Sequence, residues 1–497
     1  MSHRRIGKPD LAAVAPARRT LLRRVHTAWS TLSVAALLIV AAAAVPGQAL
    51  ADAAHAEPPA GTPAPPERLT VMTPATGVAA RSDRRPVAGG LYDARANTTF
   101  ISWAGQYEDN FVQAYNHVTG AWSAPVRVGD GGNDSHNYPT MVQADDGHLL
   151  VFRGLHNKEL WVARSARPHS IDGPWTDTII PEGFGATYPM PFKTASGEIF
   201  VFIRETARDF DRKYPTDTRP MKYVRSTDNG LTWQTSAELT GDRWAIAPTT
   251  RADNMNEIYI GQLRYEPPRN GRPEQVQIVY TLAGGGPEGH LHDRYHKNIY
   301  HLTFSPNDLH FRAADGHDLG TSVDDAEQEQ YLKVAETPLQ TTNPRSPDYI
   351  SFVGSKFDGT PFVLWMQIDT EGVLRDYTGV WTAGGWDTRE IATGVRVRDM
   401  YQAGPLSWRV YATVEGSKNG ISTFLLYGGA QWEPESVIPT PTKSVQRVEV
   451  LDGFRDPARI LVTGASSDRD VSVADGDIYV IGRAVGPKPC DDSTDGC

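Results

Sequence analysis

Cysteine is almost missing from this chain: Cys490 and Cys497 are the only two in 497 residues, both near the C-terminus. A disulfide between them would close a small terminal loop in an oxidising compartment and could not staple a core. With no cysteine and histidine cluster at ligand spacing, a structural zinc site is not expected. Long apolar runs are also scarce. The one that stands out, about Val34 to Val45, is too short for a comfortable membrane span. An excess of positive charge is absent, with a formal net charge of -10, so nucleic acid is not an expected partner. No long amphipathic helix shows between residues 70 and 484.

What is present begins with a targeting pattern. Arg18, Arg19, Arg23 and Arg24 precede the apolar run, and Ala49-Leu50-Ala51 follows it as a small-x-small cleavage site. That is the order of a signal peptide, placed at residues 1–51. Arg18-Arg19-Thr20-Leu21-Leu22-Arg23 resembles a twin-arginine export motif; ordinary export is the alternative. The expected localisation is secreted, with no membrane span after cleavage. Residues 1–51 carry seven Lys or Arg against one Asp, so their removal leaves a mature charge of about -16. An anionic partner would then need a local positive site. Residues 52–69 are rich in Ala and Pro and read as a linker. Residues 485–497 read as a tail.

Between them, Gly 45, Pro 36, Trp 12 and Tyr 19 suit many short strands and turns. Apolar runs such as Leu149–Phe152, Ile199–Ile203 and Pro361–Trp365 recur, many after a turn pair such as Asp146-Gly147 or Ser196-Gly197. Ser226-Thr227-Asp228-Asn229-Gly230-Leu231-Thr232-Trp233 is an Asp box. In it Ser226 and Asp228 bond turn amides, Gly230 takes a positive φ, and Trp233 packs on strands. Weaker echoes end at Trp122, Trp175, Trp386 and Trp432. Counting strand clusters gives seven units, near 90–125, 136–176, 187–235, 244–312, 345–388, 398–433 and 445–484. The expected fold is all-β, a seven-bladed β-propeller over residues 70–484, with six blades as the alternative.

Several places gather chemistry. Asn133-Asp134-Ser135-His136-Asn137 leads into a strand that ends at His156-Asn157, and the histidines are 20 residues apart. An up-and-down strand pair returns to the same rim over that distance. Histidine titrates near neutrality, so the pair suits proton transfer, against the plain reading of two satisfied edge histidines. One unit on, Tyr188 and Arg204 are 16 apart and fall on the same rim. A cation beside a tyrosine lowers its pKa, and an arginine grips a carboxylate. Arg264-Tyr265 follows a later strand. The stretch His290, His292, Arg294, Tyr295 and His296 reads as a loop over a groove, with metal binding a competing idea. Arg345 in Asn343–Pro347 reads as a solvated arginine.

Asp134–Asn137, Gly154–Asn157, Thr187-Tyr188-Pro189 and Arg204 resemble the BNR-repeat propellers that include ulvan lyases and rhamnose–glucuronate lyases. The resemblance covers about residues 85 to 310 by motif. It implies a polysaccharide lyase without a cofactor or catalytic metal, acting on an anionic, uronate-containing glycan. His136 and Tyr188 would be its catalytic acid–base pair, and His156, Arg204, Asn137, Asn157 and Arg264 would bind substrate. The sequence departs from the pattern in lacking the cysteines of a metal site found in some ulvan lyases. Two other classes stay open: a sialidase-like or rhamnosidase-like glycoside hydrolase, and a non-catalytic glycan-binding propeller. A glycosidase wants two facing carboxylates, and no pair stands out. The Asp box is scaffold and does not separate these classes.

Overall fold

The apolar runs become strands because β-branched and aromatic residues alternate with Gly and Asp-Gly turns. The computed structural model describes residues 69–79, 88–154, 156–180, 185–207, 217–248, 251–415, 420–439, 443–465 and 472–485. The expected signal peptide, nearly all of the linker, and the two cysteines lie outside the described residues. The fold is all-β, and its helices are single turns such as Ser236–Thr240, closed by a Thr235–Glu238 capping box.

Strands pair antiparallel with their sequence neighbours in six sheets. Thr140–Gln143, Leu149–Gly154, Leu160–Arg164 and Thr176–Ile180 make one; Ala186–Lys193, Ile199–Glu205, Met221–Ser226 and Gln234–Thr235 make the next. The sheet begun by Glu257–Glu266 carries two extra short strands and spans 257–335. Two four-stranded sheets begin at Phe352–Ser355 and Val395–Gly404.

The remaining nine-stranded sheet joins the two ends of the described chain. Its C-terminal part, Ser444–Arg455, Ala458–Ala465 and Gly476–Arg483, takes Leu69–Val78 as an outer strand, seven registered pairs long. A single parallel pair, Leu91↔Asp452, connects that set to Gly90–Asp93 and its antiparallel partners.

Each apolar cluster lies between consecutive sheets. Val142, Leu150 and Phe152 meet Ile199, Val201 and Ile203. Phe200, Phe202 and Tyr223 meet Phe304, and Phe352 and Leu364 meet Val397 and Val410. Ile101 and Trp103 of the N-terminal strands meet Leu461 and Val480 of the last. The two ends of the described chain therefore pack on one another within the nine-stranded sheet. Each fully buried Phe or Leu in these layers contributes about 1.5–3 kcal/mol.

The Asp box forms as its residues dictate. Ser226 Oγ accepts from Gly230 N at 2.9 Å, and Asp228 accepts from the Leu231 and Thr232 amides at 3.1 and 2.8 Å. Gly230, at φ +81°, lies so close to Leu150 that a Cβ would collide. Trp233 packs edge-on against Phe152 of the preceding sheet. The box thus ties one sheet to another.

Candidate active site

The first strand of a sheet and the return of its second strand bring their ends to one rim. Thr187 pairs with Arg204, so Tyr188 and Arg204 share that rim. The ladder slips between Thr187 and Met190, and Tyr188 sits in the slip at φ +58°. A bulge with a left-handed tyrosine re-aims the side chain at a backbone cost of order 1–3 kcal/mol, a feature that clusters at functional sites. His136 precedes Thr140–Gln143 and His156 follows Leu149–Gly154, which places both on the same rim.

Asp134 organises the histidines. Its Oδ1 bonds His136 Nδ1, and its Oδ2 bonds His156 Nδ1 at 2.6 Å. The rings stack at 4.2 Å between centroids, and His136 lies 5.7 Å from the Tyr188 ring. Burial alone would raise the Asp134 carboxyl; the His136 and His156 hydrogen bonds outweigh it and hold the group well below the carboxylate range. Burial draws His156 down, partly offset by Asp134. An ionised Asp134 accepts from both Nδ1–H groups, which puts the lone pair of each neutral imidazole on Nε2.

Arg204 lies beneath Tyr188. Its guanidinium carbon is 4.7 Å from the Tyr188 ring centre and 4.5 Å from that of Tyr259, from the next sheet. The residue is 1% exposed, and its Nε and Nη1 find no hydrogen-bond acceptor among the described residues. Burial opposes its charge, but Tyr259, Tyr188 and Glu257 more than compensate. Arg204, expected to bind substrate, therefore lies beneath two phenol rings, and its charge faces the rim through them.

The other expected contacts divide. Asn137, 5% exposed, is a strut: its amide donates to Gly131 O at 2.6 Å and its oxygen accepts from His156 N at 2.8 Å. Asn157 is at the rim at φ +60°, where its N donates to Ala186 O and its oxygen accepts from Thr206. Arg264 is elsewhere. It lies five residues beyond Tyr259 on one strand, roughly 16 Å away toward the opposite rim. There it donates to Val353 O at 2.9 Å and Met400 O at 2.8 Å and faces buried Asp399. Position after a strand had fixed its sheet but not its rim.

The histidine stretch reaches the rim as a set of carboxylate pairs. His292 Nδ1 bonds Glu257 Oε2 at 2.7 Å, Arg219 Nε approaches the same oxygen at 3.2 Å, and His290 pairs with Asp217. His296 is buried against Asp293 and Pro347 O. Arg345 pairs with Asp293 and stays 67% exposed. Asp134 and Tyr259 are the residues that sequence reasoning left without a role. Asp134 stood inside the histidine motif and was legible there; Tyr259 carries no local signal, because sheet stacking alone delivers it. Asp134, His136 and His156 also present three ligand atoms within 4.8 Å, the group among the described residues with the composition of a cation site.

A family model described as a BNR repeat-containing family member matches residues 98–393. The chain belongs to the BNR repeat-containing family. This BNR repeat-containing protein is 26% identical over 236 residues to the ulvan lyase PL25 of Pseudoalteromonas sp. strain PLSV, covering 42% of this chain and 44% of that one. It is 26% identical over 257 residues to an ulvan lyase of Alteromonas sp. strain LOR, covering 45% and 48%. The chain thus spans less than half the length of these curated relatives. Among solved structures it is similar to a PL25 ulvan lyase bound to -[GlcA(1-4)Rha3S]-, at TM-score 0.64 and 18% identity over 82% of this chain and 95% of that one. It is also similar to the polysaccharide lyase Uly1, at TM-score 0.54 and 11% identity over 81% and 91%. These likenesses establish the fold.

Proposed function

We propose that the protein is an exported polysaccharide lyase that cleaves a uronate-containing glycan by β-elimination on one rim of a seven-bladed β-propeller. The blade count is supported by the apolar cluster that packs the two ends of the described chain on one another and by the nine-stranded sheet dividing at the lone Leu91↔Asp452 pair. The observation that carries the chemistry is the stacked His136–His156 pair on one carboxylate, in contact with a tyrosine over a buried guanidinium. Relatives named ulvan lyases support the same reaction class.

In this reading His136 Nε2 removes the C5 proton of the uronate. Its electron pair forms the C4–C5 double bond, the C4–O4 bond breaks, and the Tyr188 hydroxyl protonates the departing O4. The carboxylate lies by His156, whose depressed pKa rises as that anion approaches. The buried Arg204 charge, 4.7 Å from the Tyr188 ring centre, favours the enolate-like anion through that ring. The hydrogen bonds to Asp134 hold both rings in the tautomer the step requires.

The test is ultraviolet absorbance of the unsaturated uronyl end while purified protein is incubated with a panel of uronate polysaccharides. A rise that disappears in His136→Ala, with an unchanged melting temperature, is the expected result. Reducing-sugar release without that absorbance would replace the lyase with a hydrolase, and binding without either signal would make the rim a glycan receptor. Recovery of protein from the medium beginning at Asp52 would support the export reading.

A further inference from the structure

The opposite rim carries a cavity of its own, about 240 Å³. It opens where Glu257–Glu266 ends, beside Ser355 at the end of Phe352–Ser355 and Gln402 near the end of Val395–Gly404. Tyr259, on the rim of the His136–Tyr188 pair, precedes Glu266 on one strand and lies roughly 20 Å from it. The charged lining is Arg264, Arg269, Arg272 and Lys356 against Glu266, in a chain of net charge -10. Arg264 is already engaged within the fold, on Val353 O and Met400 O.

A hairpin tip supplies the other two arginines. Asn270 and Gly271 take φ of +53° and +76°, the two-residue turn that Asn-Gly favours. Arg269 and Arg272 exchange both backbone hydrogen bonds, at 3.1 and 3.0 Å, so they stand directly opposite each other with their side chains on one face. Like charges in that position weaken a ribbon, and a bound anion relieves them. Pro267, Pro268 and Pro273 flank the tip and fix φ there. Among the described residues neither guanidinium has an ion pair: Arg269 Nη1 donates to the Gln402 amide oxygen at 2.9 Å, and Arg272 Nη2 to Phe357 O at 3.1 Å. Lys356 brings a third charge from the neighbouring sheet, with no hydrogen bond or ion pair from its ammonium to a described residue. Asp358 feels the Lys356 and Arg272 charges, but its hydrogen bonds run to Thr360. Glu266 accepts from Gln275 at 2.9 Å, Gln277 at 3.2 Å and Ser355. The Phe357 ring lies 4.8 Å from the Arg269 guanidinium carbon and is 43% exposed. An apolar ring beside three cations matches a sugar that carries an oxyanion.

We propose that Arg269, Arg272, Lys356 and Phe357 form a second, non-catalytic glycan site on the rim opposite the His136–Tyr188 pair, which takes a sugar unit bearing a carboxylate or a sulfate ester. The site rests on the reading of the protein as one that handles an anionic glycan, but not on elimination. Its cavity is small for a ligand site, so it holds one charged unit while the rest of the chain runs out across Phe357. On the far rim it tethers the protein to a polymer without taking part in the reaction, and two sites on one body raise avidity for that polymer.

The experiment is a calorimetric titration of short, sulfated and uronate-rich ulvan fragments into protein carrying His136→Ala, which prevents cleavage; should the wild type prove not to cleave, it is titrated directly. Two fragments are expected to bind per protein. Arg269→Gln and Lys356→Gln should each weaken one of the two bindings about tenfold, from one charge-assisted hydrogen bond, and leave the other unchanged. A single binding event that both variants weaken would uphold this site while removing the glycan site on the other rim, so the two readings fail separately. Arg269 is exposed and Lys356 half-buried, so melting temperatures should stay close to the parent, and Phe357→Ala, which should also weaken binding, keeps the test decisive if a charge variant does not fold. Repeating the titrations with desulfated and with carboxyl-reduced fragments identifies the anion as the one whose removal erases the Arg269 dependence. Unchanged affinity in both charge variants, or a tenfold effect that survives both modifications, overturns the proposal. So does polyglutamate that binds as tightly through the same side chains, which would make the patch a receptor for acidic protein.

Discussion

Asp134→Asn is the sharpest perturbation of this site. The carboxylate accepts one Nδ1–H from each stacked ring, His156 at 2.6 Å. Asparagine keeps the shape but offers one acceptor oxygen and one NH2 donor. Only one imidazole then keeps its Nδ1–H bond; the other must turn its lone pair to Nδ1 and its proton to Nε2. If His136 turns, the base is lost. A wrong-tautomer histidine costs about 10⁴-fold in the serine-protease triad, so a fall in kcat of about 10³–10⁴-fold is expected here. That corresponds to about 4–5.5 kcal/mol of transition-state stabilisation. KM should change little, because Asp134 bonds the two rings rather than the sugar. The assay is the initial rate of ultraviolet absorbance across substrate concentrations, with a melting curve to confirm folding. A kcat within about tenfold of wild type in a folded variant would refute the tautomer argument. Chelator treatment should leave the wild-type rate unchanged; activity lost on chelation and restored by a divalent cation would instead make Asp134, His136 and His156 ligands.

Tyr188→Phe removes the proposed acid while keeping the ring over Arg204, and kcat should fall about 10²–10⁴-fold with little change in melting temperature. Arg264→Ala should do the reverse. It breaks the contact with buried Asp399 and should cost about 3–5 kcal/mol of stability, while the folded fraction keeps its specific activity. Stability should also fall with acid. His301, fully buried, is drawn down to about 3 by burial, and His156 is lowered from 6.5. A histidine with a depressed folded pKa contributes its stability above the unfolded value and loses it as pH drops below about 6.5. Chemical denaturation at pH 7 and pH 5 measures this, and equal stabilities would contradict it.

Much of the scaffold was legible in the chain. A strand, its turn and its return stroke are local events, so His136 with His156 and Tyr188 with Arg204 were placed on shared rims from spacing alone. The Asp box could be read because each of its bonds lies within a few residues. The unit begun near 244 was mis-sized: its sheet starts at Glu257 and runs on to Ala335, through short strands with no strong pattern. Leu69–Val78 pairing with Gly476–Arg483 was not visible either, since nothing local joins segments about 400 residues apart.

The sequence by itself determined the all-β class, the sheet-by-sheet order and the residue types at the rim, because periodicity and turn chemistry act over short distances. Tertiary structure alone decided what those residues meet. It hid Arg204 under two tyrosines, one from a neighbouring sheet, and sent Arg264 to the far end of its strand. It made Asn137 a strut and brought Arg269, Arg272 and Lys356 around one cavity. Those outcomes depend on how sheets stack and on how the two ends of the chain pair, and burial across sheets, not local propensity, sets both.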